Sequence, residues 1–449
     1  MRRNRAPIRR TGWTSERAVS PEFLICLGAL LALAAIGVPV AYSILVASLA
    51  YLAADGQSLG VAGKQLMDGL YNSFVLLAVP LFIVAANIMN AGTISDRLLA
   101  FCVALVGRFR GGLGHVNVAA SLVFSGMSGS AVADAAGIGK IIIRMMTGSG
   151  HFPRGYAAAI TAASATIGPI IPPSIPMVLY ALVSNASIGY LFLGGIVPGL
   201  VMGAVLMGMN AWMARKRGFA REEPVPLAAM PATTLRAFPA LLMPVILLYG
   251  IYGGVTTPTE AAAVAAFYAL LLAAFFYRAL SVGALYRILV ESARSSAAVG
   301  IVIGGALILN YVVASENIPR QVAGALVGLD VSPIAFLLGV NLLILLLGCV
   351  LDATTIILII IPLFIPTARD LGIDLVHFGV VAVVNCMVGL ITPPYGILLF
   401  VINAVTRIPL AEIIREIWPF LGVLIVALLA LILMPDLVLW LPRQFGYAG

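Results

Sequence analysis

Two short segments of the chain bring hydroxyl, carboxylate and flexible backbone groups together in otherwise apolar surroundings. They are Ser125-Gly-Met-Ser-Gly-Ser-Ala-Val-Ala-Asp134 and Gly348-Cys-Val-Leu-Asp-Ala-Thr-Thr355. Oxygen atoms of these groups are the ligands that hard cations prefer. We therefore expect each segment to contribute to a cation site. The candidate ligands are Ser128, Gly129, Ser130 and Asp134 in the first segment, and Gly348, Asp352, Thr354 and Thr355 in the second.

Each aspartate also has a structural interpretation. A carboxylate at a helix N-terminus accepts hydrogen bonds from free backbone N–H groups and interacts favourably with the helix dipole. Asp134 and Asp352 could therefore cap the helices that follow the two segments. Capping is compatible with ion binding, so both interpretations stay open here. Glycine and serine alone would indicate close helix packing, but an aspartate in each segment favours a functional role.

A pair of prolines follows each polar segment, in the middle of an apolar stretch. Proline lacks a backbone N–H and leaves upstream carbonyl groups without a donor, so each pair predicts a broken helix. Freed carbonyls are suitable sodium ligands. A plain kink would explain one break, but two breaks in register favour a binding role. The candidates are Thr166, Gly168, Pro172, Pro173 and Ser174 at the first break, and Gly389, Thr392, Pro393, Pro394 and Gly396 at the second.

The composition indicates that a lipid bilayer surrounds these segments. Apolar residues make up 62% of the 449 residues and charged residues only 10%, against roughly a quarter charged in soluble proteins. Several windows, such as 190–213 and 417–434, approach or reach the roughly 20 residues that span hydrocarbon as a helix. We expect an all-α polytopic membrane protein with about ten transmembrane helices.

The two polar segments predict re-entrant hairpins, because the apolar runs beside them have only about a dozen residues and cross about half of the bilayer. At that depth each unpaired backbone group costs several kcal/mol unless protein, water or an ion satisfies it. We place the hairpins around residues 115–143 and 332–366.

Similar features occur in the same order in both halves of the chain. We predict a basic N-terminal tail at 1–20, a first repeat at 21–214, a linker at 215–236 and a second repeat at 237–449. An amphipathic arm precedes each hairpin, from Ile94 to Arg110 and from Ile318 to near Asp330. Basic residues flank the first hairpin but not the second, which predicts that the repeats are inverted, as in alternating-access transporters.

The net charge of +8 lies in short connections between apolar segments. This distribution is better explained by the orientation of the helices in the membrane than by a nucleic-acid-binding groove. The basic loops are expected in the cytoplasm, and about ten crossings then place both termini outside. The six arginines between Met1 and Arg17, which we expect to be retained, favour the opposite side for the tail.

Other residues give weaker signals. Thr257-Pro258-Thr259-Glu260 predicts a capping box, so Glu260 is more easily explained as a cap than as a proton carrier. Four scattered cysteines and three isolated histidines show no metal-ligand spacing. We find no nucleotide-binding or hydrolase motif and expect no enzyme activity and no organic cofactor.

Four motifs in order resemble the large membrane subunit of tripartite ATP-independent periplasmic (TRAP) transporters. They are Met127-Ser-Gly-Ser-Ala-Val-Ala-Asp-Ala-Ala-Gly-Ile-Gly139, Gly168-Pro-Ile-Ile-Pro-Pro-Ser174, Thr257-Pro-Thr-Glu-Ala-Ala-Ala-Val264 and Leu390-Ile-Thr-Pro-Pro394. The resemblance covers almost the whole chain after about Pro21.

The resemblance implies an elevator-type sodium symporter in a bacterial inner membrane. Its partners would be a small four-helix membrane subunit, on a separate polypeptide, and a periplasmic protein that delivers an organic acid anion. Sodium would bind between each hairpin and its Pro-Pro break, and Ser128, Ser130 and Ser174 would bind the substrate carboxylate. Such carboxylates include C4-dicarboxylates and sialic-acid-like acids.

Three other functions are possible. A self-sufficient sodium- or proton-coupled dicarboxylate symporter shares the inverted-hairpin plan. A passive channel or a membrane enzyme is less suitable, because neither predicts paired hairpins.

Overall fold

The computed structural model describes residues 20–71, 73–90, 93–219, 221, 226–327 and 331–449. Helices account for nearly all of this part of the chain, and its one β-bridge joins Arg110 and Arg221. The predicted all-α class is therefore confirmed. The arginine-rich tail, part of the predicted linker and the Asp330 end of the second arm lie outside the described residues.

The first half of the chain contains eleven helices within the described residues. They are α1 (Pro21–Ala35), α2 (Val40–Ala54), α3 (Gly60–Tyr71), α4 (Ala78–Met89), α5 (Thr93–Val106), α6 (Gly112–Ser128), α7 (Ala131–Asp134), α8 (Lys140–Gly148), α9 (Arg154–Ala165), α10 (Ile175–Ser184) and α11 (Ile188–Lys216). A 3₁₀ turn, Phe74–Leu77, leads into α4, and a π-helical turn, Ala135–Gly139, joins α7 to α8.

The second half also contains eleven described helices. They are α12 (Met230–Tyr252), α13 (Pro258–Leu271), α14 (Val282–Ser315), α15 (Ile318–Val327), α16 (Pro333–Gly348), α17 (Ala353–Thr355), α18 (Ile361–Asp370), α19 (Leu375–Gly389), α20 (Ile397–Thr406), α21 (Leu410–Leu433) and α22 (Asp436–Gln444). π-Helical turns follow α13 (Leu272–Phe276) and α17 (Ile356–Ile360), and a 3₁₀ turn, Leu227–Ala229, precedes α12.

The same order of elements occurs in both halves. An arm (α5 or α15) precedes a helical hairpin, a helix broken at Pro-Pro follows, and a long helix (α11 or α21) comes next. In both hairpins a π-helical turn interrupts the returning arm, and such turns are frequent at functional sites. The hairpins extend over 112–148 and 333–370, so both returning arms continue a few residues beyond the predicted ends at 143 and 366. The inverted orientation of the halves stays a prediction.

Six described helices are long and apolar enough to cross a membrane, or seven if the bent pair Gly60–Tyr71 and Phe74–Met89 forms one span. The other apolar helices are shorter, with 10–17 residues, and include α1, α2 and α19. Length alone therefore supports a multi-pass protein but gives fewer spans than the predicted ten. Several of the shorter helices belong to hairpins or broken helices, where a full span is not required.

Two sets of helices pack closely within themselves, and they contact each other, for example through α4 and α6. In the first, α2 and α4 pack on α14, α13 packs on α4, and α1 packs on α2. In the second, both hairpins and both broken helices pack together with α11 and α21. The capping box predicted at α13 is present, since Thr257 accepts from the backbone N–H of Glu260 (3.3 Å) and Glu260 accepts from that of Thr257 (2.7 Å).

Candidate functional site

The tip of the first hairpin is a tight turn between α6 and α7. Gly129 has a left-handed backbone (φ +57°), which glycine adopts without steric cost. Ser128 Oγ accepts from the Ser130 backbone N–H (3.5 Å), and Ser130 Oγ accepts from that of Ala133 (3.3 Å). Ser130 is thus the residue that caps α7. The three predicted residues of this tip lie together, and their hydroxyls order the local backbone.

The first tip lies directly against the first Pro-Pro break. A Cβ on Gly129 would stand well inside 3.0 Å of the Pro173 carbonyl oxygen, so only glycine permits this approach. Gly168 also lies close to Ser130, since a Cβ there would be 3.6 Å from the Ser130 carbonyl oxygen. The structure therefore brings the hairpin residues and the break residues together, as the sequence predicted.

Ser174 lies within the first break and caps α10. Its hydroxyl donates to the Pro169 carbonyl and accepts from the Met177 backbone N–H (3.2 Å), and the residue is fully buried. Pro172 and Pro173 are joined by a cis peptide bond, as are Pro393 and Pro394. In this conformation the Ser174 hydroxyl already forms hydrogen bonds with backbone groups. Of the three predicted substrate serines only Ser130 is partly exposed.

Asp134 lies one turn beyond the tip and is not a helix cap, so the capping interpretation is wrong for this residue. It is 3% exposed, and neither carboxylate oxygen accepts a hydrogen bond within the described part of the chain. The Ser121 hydroxyl lies near the carboxylate but donates to Ser164 Oγ (3.1 Å). A buried charge without compensation costs several kcal/mol. Asp134 is therefore suited to a cation.

Asp352 differs, because it is the residue that caps the returning arm of the second hairpin. Its carboxylate accepts from the Thr355 backbone N–H (3.1 Å) and from the Thr355 hydroxyl (2.5 Å). The capping interpretation is thus confirmed for Asp352. Thr354 is half-buried beside this pair. The structural counterpart of Asp352 in the first hairpin is Ser130, whereas the sequence had paired Asp352 with Asp134.

The second tip lies against the second break through backbone contacts. A Cβ on Gly389 would be 2.8 Å from the Gly348 Cα, and the Gly396 backbone N–H donates to the Cys349 carbonyl oxygen (3.1 Å). Thr392 Oγ1 donates to the Val388 carbonyl oxygen (2.8 Å) in its own helix. The predicted juxtaposition of tip and break therefore holds in both halves.

The two breaks differ in exposure. Residues 161–174 are buried except for Ile171, whereas Pro394 and Tyr395 are exposed and Thr392 and Pro393 are partly exposed. The second break is therefore the more exposed of the two within this chain.

Buried polar cross-links attach each hairpin to its broken helix, and sequence reasoning missed them. Ser121 on α6 bonds to Ser164 on α9, and Asn385 on α19 donates to the backbone and side-chain oxygens of Asn341 on α16 (2.6 and 2.8 Å). In both halves the cross-linking residue of the broken helix lies at the same distance before the Pro-Pro pair. Ser164 precedes Pro172 by the same number of residues as Asn385 precedes Pro393. That repeated spacing was the available signal.

Each broken helix also contacts the hairpin of the other half. α20 packs against α7 and the π-helical turn Ala135–Gly139, and α10 packs against α17 and the turn Ile356–Ile360. Both sites therefore lie in one block built from both halves. The described residues contain no group of three or more His, Cys, Asp or Glu side chains that could hold a metal ion, so ligands for a cation would come from hydroxyl, carboxylate and backbone oxygens.

Comparison with known proteins gives a family match over most of the chain. Residues 27–437 match the model of a family described as tripartite ATP-independent periplasmic transporter, DctM component. The chain is 40% identical to the sialic acid TRAP transporter large permease protein SiaM of Vibrio cholerae, over 92% of this chain and 96% of the relative. It is 40% identical to the C4-dicarboxylate TRAP transporter large permease protein DctM of Pseudomonas aeruginosa, over 83% and 87%.

A solved structure has the same fold. It is the crystal structure of the Alcanivorax borkumensis YdaH transporter, which superposes with a TM-score of 0.58 at 16% identity and covers 94% of this chain and 98% of its own. At that identity the match concerns the fold alone. The family match and the two permease relatives extend over most of the chain, and the residues that match the family model include both hairpins and both breaks. The chain therefore belongs to the DctM family of TRAP transporter large permeases, which are multi-pass proteins of the inner membrane.

Proposed function

We propose that this chain carries out sodium-coupled import of a small organic acid anion, which a periplasmic binding protein delivers. A small four-helix membrane subunit completes the transporter. The relatives named for sialic acid and for C4-dicarboxylates support a carboxylate substrate. The choice between those acids belongs to the binding protein in this proposal.

The observation that carries the proposal is Asp134 beside the first tip. Its carboxylate is buried without a hydrogen bond in the described structure, a few residues from the point where Gly129 meets the Pro173 carbonyl. A sodium ion would compensate the carboxylate and use nearby backbone and hydroxyl oxygens. In the second hairpin the corresponding ligands are backbone oxygens near Gly348, Gly389 and Thr392, with Thr354 and Asp352 at the tip.

Two packed groups of helices support an elevator-type movement. The block of hairpins and broken helices would carry substrate and sodium past the group that contains α2, α4, α13 and α14. Half-helix N-termini at Ser130 and Ser174 would attract the carboxylate once the tips open.

Reconstituted uptake tests the proposal. The chain, its small subunit and the cognate binding protein are placed with proteoliposomes, and uptake of radiolabelled succinate or sialic acid is measured with and without a sodium gradient. We expect uptake only when all components and sodium are present. Sodium-independent uptake by this chain alone contradicts the proposal, and sodium- or proton-driven uptake without the binding protein would identify a self-sufficient symporter.

A charge-neutral variant tests the ion site itself. Asp134→Asn removes the buried charge, and we expect the sodium concentration for half-maximal uptake to rise at least about tenfold, since interactions with charged groups contribute about 1.5–3 kcal/mol. Asp68→Asn, at an exposed aspartate of α3, is the matched control and should leave it unchanged. An unaltered sodium requirement in Asp134→Asn would remove Asp134 from the site.

A further inference from the structure

A basic cavity lies at the end of the first hairpin's returning arm, away from the tip. It has a volume of about 360 Å³ and is lined by Lys140 and Arg144 of α8, Arg154 of α9 and Arg407 after α20. The lining contains no acidic side chain. Four cations from three elements therefore meet in one concave surface.

These cations lack an ion-pair partner in the described part of the chain, where the salt bridges are Arg217–Glu416 and Arg443–Asp436. The neighbouring cavity beside His151 and Phe219 contains Arg217, whose charge Glu416 already balances at 2.7 Å. Glu412 packs its main chain against Gly155 but does not line the basic cavity. No acidic side chain among the described residues therefore balances the four charges of this cavity, three of which are exposed.

Topology and helix dipoles do not account for the arrangement. The preference for basic cytoplasmic loops explains how many arginines occur, but not why residues 140–154 and 407 converge. A cation at a helix C-terminus is favourable, which explains Arg407 after α20. Arg154 is the first residue of α9, where the dipole disfavours a cation.

The cavity lies close to the proposed transport site along the returning arm of the first hairpin. Lys140 is six residues beyond Asp134 on the returning arm, about 9 Å at 1.5 Å per residue. α20 packs against both the π-helical turn after Asp134 and α8, and it ends at the cavity. An anion that leaves the transport site on the side of α8 and α20 would meet the four cations next.

We propose that this cavity binds a carboxylate or phosphate group. We further propose that the organic acid binds there briefly after it leaves the transport site. The exit role rests on the proposed function, whereas anion binding does not. The headgroup of an anionic lipid has the same chemistry and is the other source of such a group.

A cysteine reporter inside the cavity tests the proposal in the full chain. Thr147 lines the cavity and donates only to backbone carbonyls of its own helix, so Thr147→Cys leaves the four cations in place. The native cysteines are all buried. Labelling of the reporter with a sulfonate-bearing thiosulfonate is followed in phosphatidylcholine nanodiscs. Gly283→Cys is the control reporter, because a Cβ there meets nothing nearer than 4.0 Å.

We expect millimolar succinate to slow labelling of the cavity reporter roughly fivefold, the effect of about one unit charge near 4 Å in water. The control reporter should not respond. Protection should disappear in Lys140→Gln/Arg407→Gln and persist in Arg287→Gln, an exposed arginine outside the cavity. Salt at about 1 M should abolish it, because screening then acts within about 3 Å.

A second experiment distinguishes the organic acid from the lipid headgroup as the source of the bound anion. Protection by phosphatidylglycerol in the nanodisc, with none by succinate, supports the anion site and overturns the exit role. Protection by neither overturns the proposal. In parallel, the Lys140→Gln/Arg407→Gln variant should lower the maximal rate of sodium-driven uptake without changing the sodium requirement. Failure of wild-type uptake would contradict the proposed function, while succinate protection would still establish the anion site.

Discussion

The contact between Gly129 and the Pro173 carbonyl oxygen gives the sharpest prediction about the sodium site. In Gly129→Ala the new methyl group and this oxygen must separate by roughly 1 Å to reach ordinary van der Waals distance. The hairpin tip therefore moves away from the break, or the break moves away from the tip. Displacements of about 1 Å in a preorganised site are known to cost about 100-fold in function.

Alanine at this position also pays for its left-handed backbone, about 1–2 kcal/mol. A second variant isolates that cost. Gly372 has a similar backbone (φ +70°), and a Cβ there would meet nothing within 4 Å. Gly372→Ala therefore carries the backbone penalty without the displacement. Gly372→Ala should lose thermal stability by the backbone penalty alone, whereas Gly129→Ala should lose more, because its methyl group must also push tip and break apart.

Sodium-dependent uptake distinguishes the two variants. If tip and break share the ion, losing one charged contact of about 1.5 kcal/mol or more raises the sodium concentration for half-maximal uptake at least about tenfold in Gly129→Ala. Gly372→Ala should keep the wild-type value. Folded Gly129→Ala protein with an unchanged sodium requirement would refute the idea that the ion lies between tip and break.

Three further predictions concern the second hairpin, its cross-link and the capping box. Asp352→Asn should keep its melting temperature because asparagine caps as well as aspartate, whereas Asp352→Ala should lose about 1 kcal/mol; if the carboxylate also binds sodium, Asp352→Asn will raise the sodium requirement at unchanged stability. Asn385→Leu leaves the Asn341 oxygens without their donor and should cost about 1–3 kcal/mol in thermal unfolding. Thr257→Ala should lower the melting temperature while the pH profile of uptake stays unchanged; an altered profile would make Glu260 a proton carrier.

The hairpins and breaks were predictable because glycine, serine and proline act on the backbone directly. Short apolar runs around Gly129 and Gly348 required turns at membrane depth, and each Pro-Pro pair required a helix break. The juxtaposition of each tip with its own break was implied by the resemblance to the TRAP large subunits. In the structure, the small size of glycine lets Gly129 approach the first break and lets Gly348 approach Gly389 at the second.

The roles of the two aspartates were less predictable, since a cap is defined by where a helix begins. The returning arm of the first hairpin begins after Ser130, which leaves Asp134 inside the helix. The returning arm of the second hairpin begins after Asp352 itself. A difference of four residues in the helix start thus changes a cap into a buried charge. Partners distant in the chain, such as Asn341 and Asn385, depend on packing that a single sequence does not specify.

The exchange of contacts between halves has a consequence for biosynthesis. α7 and its π-helical turn pack against α20, which follows about 260 residues later in the chain. At about 5–20 residues per second the ribosome needs roughly 13–50 s to make that distance. During this interval the arm that contains Asp134 has been synthesised but lacks its neighbour α20. The first half therefore cannot mature alone, and separately expressed halves should accumulate only when both are made in the same cell.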